Sequence, residues 1–128
     1  MNDAVEIIVV EDDPLYQTLY ADELCAIEAN VSYCSNLAAA DLLIHDMPPD
    51  AIIVDLSLPD GDGTQIVEKL ATSESGTPPM IIVVTADTDS QRLAAVERAG
   101  AQRVITKPFE AGAIQSALAT LPMRRLLG

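Results

Sequence analysis

Glu6-Ile7-Ile8-Val9-Val10-Glu11-Asp12-Asp13-Pro14 decides how this chain folds. A β-branched run leads straight into acids and a proline. Consecutive Ile and Val suit a strand covered on both faces. Pro14 stands where the first residue of a helix would fall, since the N–H it lacks would be unpaired there anyway. Asp13 precedes it as the N-cap. The unit is a strand, an acidic corner and a helix.

The same unit recurs down the chain. Tyr16, Leu19, Tyr20, Leu24 and Ile27 follow Pro14 at helical spacing. Val31 to Cys34 predicts a second strand. Ser35 or Asn36 caps a second helix through Leu37, Leu42, Leu43 and Ile44, and Pro48-Pro49 ends it. Ala51 to Val54 predicts a third strand, followed by a loop from Asp55 to Gly63. Ile66, Val67 and Leu70 carry a third helix, and Gly76 to Pro79 breaks the pattern. Met80 to Val84 is a fourth strand. Thr88 or Asp89 opens a fourth helix through Leu93 and Val96, which Gly100 closes. Val104 to Thr106 is a fifth strand, and a last helix runs from about Glu110 to Leu121. Five βα units with two-sided apolar strands predict an α/β fold. Its sheet is five-stranded, parallel and doubly wound, a (βα)5 flavodoxin-like three-layer sandwich.

Composition supports one domain over residues 1–128, with 122–128 a tail or the start of a linker. Apolar residues make up 49% and charged residues 21% of the 128, the balance of a globular chain. A chain of this length buries roughly two-thirds of its unfolded surface and needs no staples. No run approaches the ~20 apolar residues of a membrane span, and no basic, apolar and small-residue sequence marks a secretory signal. Twenty acids against seven bases give a net charge of -13, which argues against direct nucleic-acid binding and against an anionic membrane surface. A bound cation or a phosphorylated small molecule stays open. Cys25 and Cys34 lack metal-ligand spacing, and we read both as reduced, buried thiols of a cytoplasmic protein.

In a doubly wound sheet the site lies beyond the carboxyl ends of the strands. Glu11-Asp12-Asp13 follow the first strand, Asp55 the third, Thr85-Ala86 the fourth and Lys107-Pro108 the fifth. Several carboxylates at one edge repel unless a cation compensates. An all-oxygen set of this kind suits Mg²⁺ or Mn²⁺. A carboxylate beside such an ion can act as a nucleophile toward phosphorus.

Val9 to Pro14, Asp55 to Gly63, Val84-Thr85-Ala86 and Lys107-Pro108-Phe109, in that order and each at a strand end, resemble the receiver (CheY-like) domain of bacterial two-component response regulators. The resemblance covers essentially the whole chain. It implies that Asp55 is the phosphoacceptor. It implies that Asp12 and Asp55 ligate Mg²⁺ directly, Glu11 through water and Ser57 through its backbone carbonyl. Thr85 and the N–H of Ala86 would hold phosphoryl oxygens, and Lys107 another. Ser57 and Asp87 would tune the lifetime of the phosphoryl group, and the Lys107-Pro108 peptide would be cis. The donor would be a sensor histidine kinase or a His-containing phosphotransfer protein, and the output an unidentified downstream protein. On this reading the chain is no turnover enzyme and catalyses only its own phosphorylation and dephosphorylation.

The chain departs from the family at Val104, the switch position, where an aromatic residue is usual. A stiff Val offers no aromatic lever. The last helix lacks the charged pattern of winged-helix regulators, and Arg103 replaces their usual Asp, so a monomer is expected, with dimerisation on phosphorylation left open. A phosphorelay intermediate or phosphate sink would use the same site. A metal-dependent phosphohydrolase is the remote alternative, disfavoured by Ser57 and the negative charge. A flavin site lacks its phosphate-cradling loop. Asp60-Gly61-Asp62-Gly63 fails the calcium-loop pattern at Gln65 and Ala71 and reads as a turn with a helix cap. His45 reads as a surface residue, and Tyr16 and Tyr20 as packing, Tyr16 near enough to the site to tune it. The sequence leaves open whether the chain is free-standing or part of a longer protein, with no output domain in Leu121 to Gly128.

Overall fold

The computed structural model describes residues 4–72 and 78–120. Its central sheet is built from β1 (Val5–Val10), β2 (Ala29–Cys34), β3 (Ala51–Val54), β6 (Met80–Thr85) and β7 (Arg103–Thr106), in the spatial order β2-β1-β3-β6-β7. Every neighbouring pair is parallel. The helices are α1 (Pro14–Leu24), α2 (Leu37–Asp46), α3 (Thr64–Ala71), α4 (Ser90–Ala99) and α5 (Ala113–Leu118). This is the doubly wound fold that the alternating strands and helices predict.

The pleat sorts the apolar residues into two cores. Val5, Ile7, Val9, Ile53, Ile82 and Val84 point to one face, where Tyr20 and Leu24 of α1 and Ile114, Ala117 and Leu118 of α5 cover them. Ile8, Val10, Ile52, Val54, Ile81 and Val83 point to the other, under Leu37 and Ala40 of α2, Ile66, Val67 and Leu70 of α3 and Val96 of α4. All of β3 and β6 is buried. Each fully buried Ile or Val contributes about 1.5–3 kcal/mol, so the two central strands anchor the sheet.

Caps fall where side-chain chemistry allows. Asp13, Asn36 and Asp89 accept from Leu15, Ala39 and Gln91 N–H and start α1, α2 and α4. Gly100 ends α4 at φ 134, a conformation that suits glycine.

Three expectations change. The last helix starts at Ala113, not Glu110, because Gly112 takes a left-handed φ of 89 and interrupts the turn before it. Its expected end at Leu121, like the 122–128 tail and part of the Gly76–Pro79 breaker, lies outside the described residues. The Asp55–Gly63 loop holds a small antiparallel hairpin, β4 (Ser57–Leu58) and β5 (Gly61–Asp62). Cys25 is exposed, although Cys34 is buried as expected, and both are free thiols. Burial pushes the Cys34 thiol up to about 11. His45 is exposed in α2 as expected. No helix among the described residues is long and apolar enough to cross a membrane.

Candidate functional site

Strand order reverses at β1, with β2 on one side and β3 on the other, so the ligand crevice falls beyond the ends of β1 and β3. Ladder hydrogen bonds carry past those ends. Glu11 N–H donates to Cys34 C=O at 2.9 Å, and Asp55 N–H to Val10 C=O at 3.1 Å. On the far side, Lys107 N–H donates to Thr85 C=O at 2.7 Å. The sheet itself thus aligns the residues that follow each strand.

Three carboxylates meet there. Oxygens of Glu11, Asp12 and Asp55 lie within 4.8 Å of one another. Glu11 and Asp55 are buried, whereas Asp12 is exposed. The Lys107 ammonium sits between the two buried acids, 2.8 Å from Glu11 Oε1 and 2.9 Å from Asp55 Oδ2. The Lys107-Pro108 peptide is cis.

The electrostatics favour a charged lysine and burden one acid. Burial alone would lower the Lys107 pKa, but the two carboxylates outweigh it and hold the ammonium above its usual range. Burial pushes the Glu11 carboxyl above its ordinary value, with Lys107 pulling the other way. One ammonium faces three clustered carboxylates. An all-oxygen donor set with one exposed carboxylate fits a hard divalent cation.

Aromatic residues hold this corner. Tyr20 is fully buried, and its hydroxyl donates to Glu11 Oε1 at 3.1 Å. Burial and the neighbouring Glu11 both push that hydroxyl upward, so it stays a donor. The Tyr16 ring lies 4.2 Å from the Lys107 ammonium, a cation–π distance. Phe109 packs against both tyrosines.

The remaining expected residues also lie at this edge. Ser57 is exposed, and its N–H donates to Asp55 Oδ1 at 3.2 Å. Thr85 is buried, and its hydroxyl accepts from Asp87 N–H at 3.1 Å. Ala86 is exposed and presents no bulk over the site. Val104 pairs with Val83 and packs, half-buried, on the α2–α4 side of the sheet.

Sequence reasoning missed several supports. Gly63 has no room for a side chain, because a Cβ would lie 2.1 Å from the backbone oxygen of Asp55. Asp60 reaches back to α2 and accepts from Leu37 and Ala38 N–H at 2.8 and 3.1 Å. Arg92 bridges Asp62 and Asp87. Glu23 of α1 accepts from Gly112 and Ile114 N–H at 2.8 and 2.9 Å and pins the start of α5. The scarcity of basic residues was the one available signal, because it makes each Arg near the acidic loops a candidate partner.

Fold and site together define a class: a doubly wound α/β protein with lysine-paired acids at its switch point. Residues 7–119 match the response regulator receiver domain, and the chain belongs to that family. It is 31% identical over 124 residues to the transcriptional regulatory protein PhoP of Escherichia coli (strain K12), an alignment covering 97% of this chain and 54% of that protein. The chain thus spans about half the length of the curated relatives it matches. A signal receiver domain from Vibrio parahaemolyticus superposes with a TM-score of 0.86 at 22% identity over 97% of this chain and 94% of that one, a likeness of fold. The receiver domain of a sensor histidine kinase from Pseudomonas aeruginosa PAO1 superposes with a TM-score of 0.78 at 26% identity, over 98% of this chain and 99% of that one. That crystal structure has a magnesium ion coordinated in its active site cleft.

Proposed function

We propose that this chain is the phosphoacceptor switch of a two-component system, with Asp55 as the residue that receives the phosphoryl group. The observation that carries the reading is the Asp55 carboxylate at the switch point, paired with Lys107 and within 4.8 Å of Glu11 and Asp12. Membership of the receiver family supports it.

Asp12 and Asp55 would hold Mg²⁺ (or Mn²⁺) directly, Glu11 through water and Ser57 through its carbonyl. When bound, the cation neutralises phosphate charge and orients it. The protein's own groups do the rest. Asp55 attacks phosphorus in line, and a donor histidine leaves with the bond pair. Lys107 turns from Asp55 to a phosphoryl oxygen, while the Thr85 hydroxyl and the Ala86 N–H receive others. Such transfer depends on positioning and charge more than on acid–base help.

The donor would be a sensor histidine kinase or a His-containing phosphotransfer protein in the cytoplasm. New charge at Asp55 would bias a partner-binding surface formed by α4, β7 and α5. The chain would turn over no substrate beyond its own phosphoryl group. Val104 favours a second reading, a phosphorelay intermediate or phosphate sink, because no aromatic lever couples the site to that surface.

Intact mass after incubation with Mg²⁺ and acetyl phosphate tests the proposal. One phosphoryl adduct on the wild type and none on Asp55→Ala is the expected result. An adduct that persists on Asp55→Ala would move the acceptor elsewhere, and absence of any adduct or beryllofluoride complex would sink the reading.

A further inference from the structure

Arg92 joins two loops that the strand ends leave separate. It stands in the first turn of α4, where Nη1 donates to Asp87 Oδ2 at 2.5 Å and Nη2 to Asp62 Oδ2 at 2.8 Å. Asp62 lies in β5, the return strand of the hairpin that follows Asp55, and its other oxygen accepts from Thr64 N–H at 2.8 Å. Asp87 lies in the β6–α4 loop, and its other oxygen accepts from Asp89 N–H at 2.9 Å. Its own N–H donates to the Thr85 hydroxyl. A continuous chain of polar contacts therefore runs from the hairpin through Arg92 and Asp87 to Thr85. Among the described residues no other cation pairs with acids of both loops. A planar guanidinium can serve two carboxylates at once, which an ammonium does poorly.

We propose that Arg92 is a positioning residue that clamps the β6–α4 loop to the hairpin beside Asp55 and lengthens the life of the phosphoryl group. The inference rests on the phosphoacceptor reading. In hydrolysis a water oxygen bonds to phosphorus as the bond from phosphorus to the Asp55 oxygen breaks. The carboxylate leaves with the electron pair, a water proton passes to solvent, and inorganic phosphate departs. The closed clamp keeps Thr85 and Ala86 in place. Arg92 also occupies Oδ2 of Asp87, whose Oδ1 the Asp89 N–H already takes. Released from Arg92, that carboxylate is an acceptor beside the site that can orient the attacking water. The side chains are partly exposed, 33% for Arg92, 23% for Asp87 and 46% for Asp62. Ion pairs of such exposure shift an equilibrium by about two- to fivefold and not by orders of magnitude.

The test follows decay of the phosphorylated full chain by intact mass in Mg²⁺ after acetyl phosphate is removed. Arg92→Gln and Asp62→Asn are each expected to shorten the half-life by about two- to fivefold. The double variant should decay no faster than the faster single one, because one unit is broken once. Arg92→Lys should recover part of the loss, and exposed Arg98→Gln should match the wild type. A wild-type half-life for Arg92→Gln, or additive effects, overturns the clamp. A second arm needs no phosphorylation: the Asp87 and Asp89 amides should exchange hydrogen faster in Arg92→Gln. Equal exchange rates also overturn the clamp. Failure of the wild type to take up a phosphoryl group would overturn the phosphoacceptor reading instead, and amide exchange would still decide the clamp.

Discussion

Glu11 stands in the acidic cluster, beside Asp55 and Lys107. It is buried, and its carboxylate depends on the Lys107 ammonium, the Tyr20 hydroxyl and the Asp13 N–H. Burial already pushes its pKa up. Removing one donor leaves a buried carboxylate short of a partner, which costs more than the lost bond was worth. Tyr20→Phe is therefore expected to destabilise the protein by about 1–3 kcal/mol, read as a lower urea midpoint with unchanged slope. A midpoint equal to that of the wild type would show that water replaces the phenol. Gly63 constrains the site by another route. Its N–H donates to Leu56 C=O at 2.8 Å, and a Cβ there would collide with the Asp55 backbone. Lys107 shows why these residues are supported by packing: its ammonium is fixed by two acids and one aromatic face, and Tyr16, Tyr20 and Phe109 form the wall behind it.

The hairpin of β4 and β5 is the element on which the site turns. Each strand has two residues, too few to hold a position by ladder bonds alone. Side chains anchor it instead, Asp60 to the start of α2 and Asp62 to Arg92 of α4. The N–H of Leu37, with that of Ala38, holds the Asp60 carboxyl below its ordinary 3.8. A carboxyl depressed on folding adds stability above its unfolded pKa and loses it as pH falls through the folded value. Wild type should therefore have a higher urea midpoint than Asp60→Asn at pH 5 and above, and the gap should close progressively below about pH 4. A gap independent of pH would assign the effect to the shape of Asn and not to charge. Asp87 behaves alike, since the Asp89 N–H and Arg92 hold it low.

At the scale of the molecule the net charge of -13 dominates. Such an excess repels itself in the compact state, and salt screens it. The thermal midpoint is expected to rise from low to physiological ionic strength. Mg²⁺ added at constant ionic strength should raise it further by mass action on the folded state, and Asp12→Ala should abolish that second increment alone. An equal Mg²⁺ response in both proteins would mean diffuse screening and no defined ion site. Charge also shapes the surface: the exposed bases Arg98 and Arg103 stand near one another in sequence at the end of α4 and the start of β7, the side on which we place the output.

The five strands, their parallel pairing and the acids at their ends were legible because burial on both faces leaves a period-free run of Val and Ile, and chain order then sets the topology. The positions of Glu11, Asp12, Asp55, Thr85 and Lys107 followed from that rule, since each stands at the carboxyl end of a strand or within two residues beyond it. Capping chemistry was local and equally readable, as Asp13 and Asn36 show. The start of α5 was not readable, because Gly112 breaks a pattern that composition continues and Glu23, far away in the chain, completes the cap. Nor were the Tyr20 bond to Glu11, the lack of space at Gly63 or the Arg92 bridge. Each depends on distances between elements that no local pattern encodes. Sequence determined which groups stand at the sheet edge; only tertiary packing decided which of them touch, because hydrogen bonds and ion pairs are set by ångström-scale geometry and not by order along the chain.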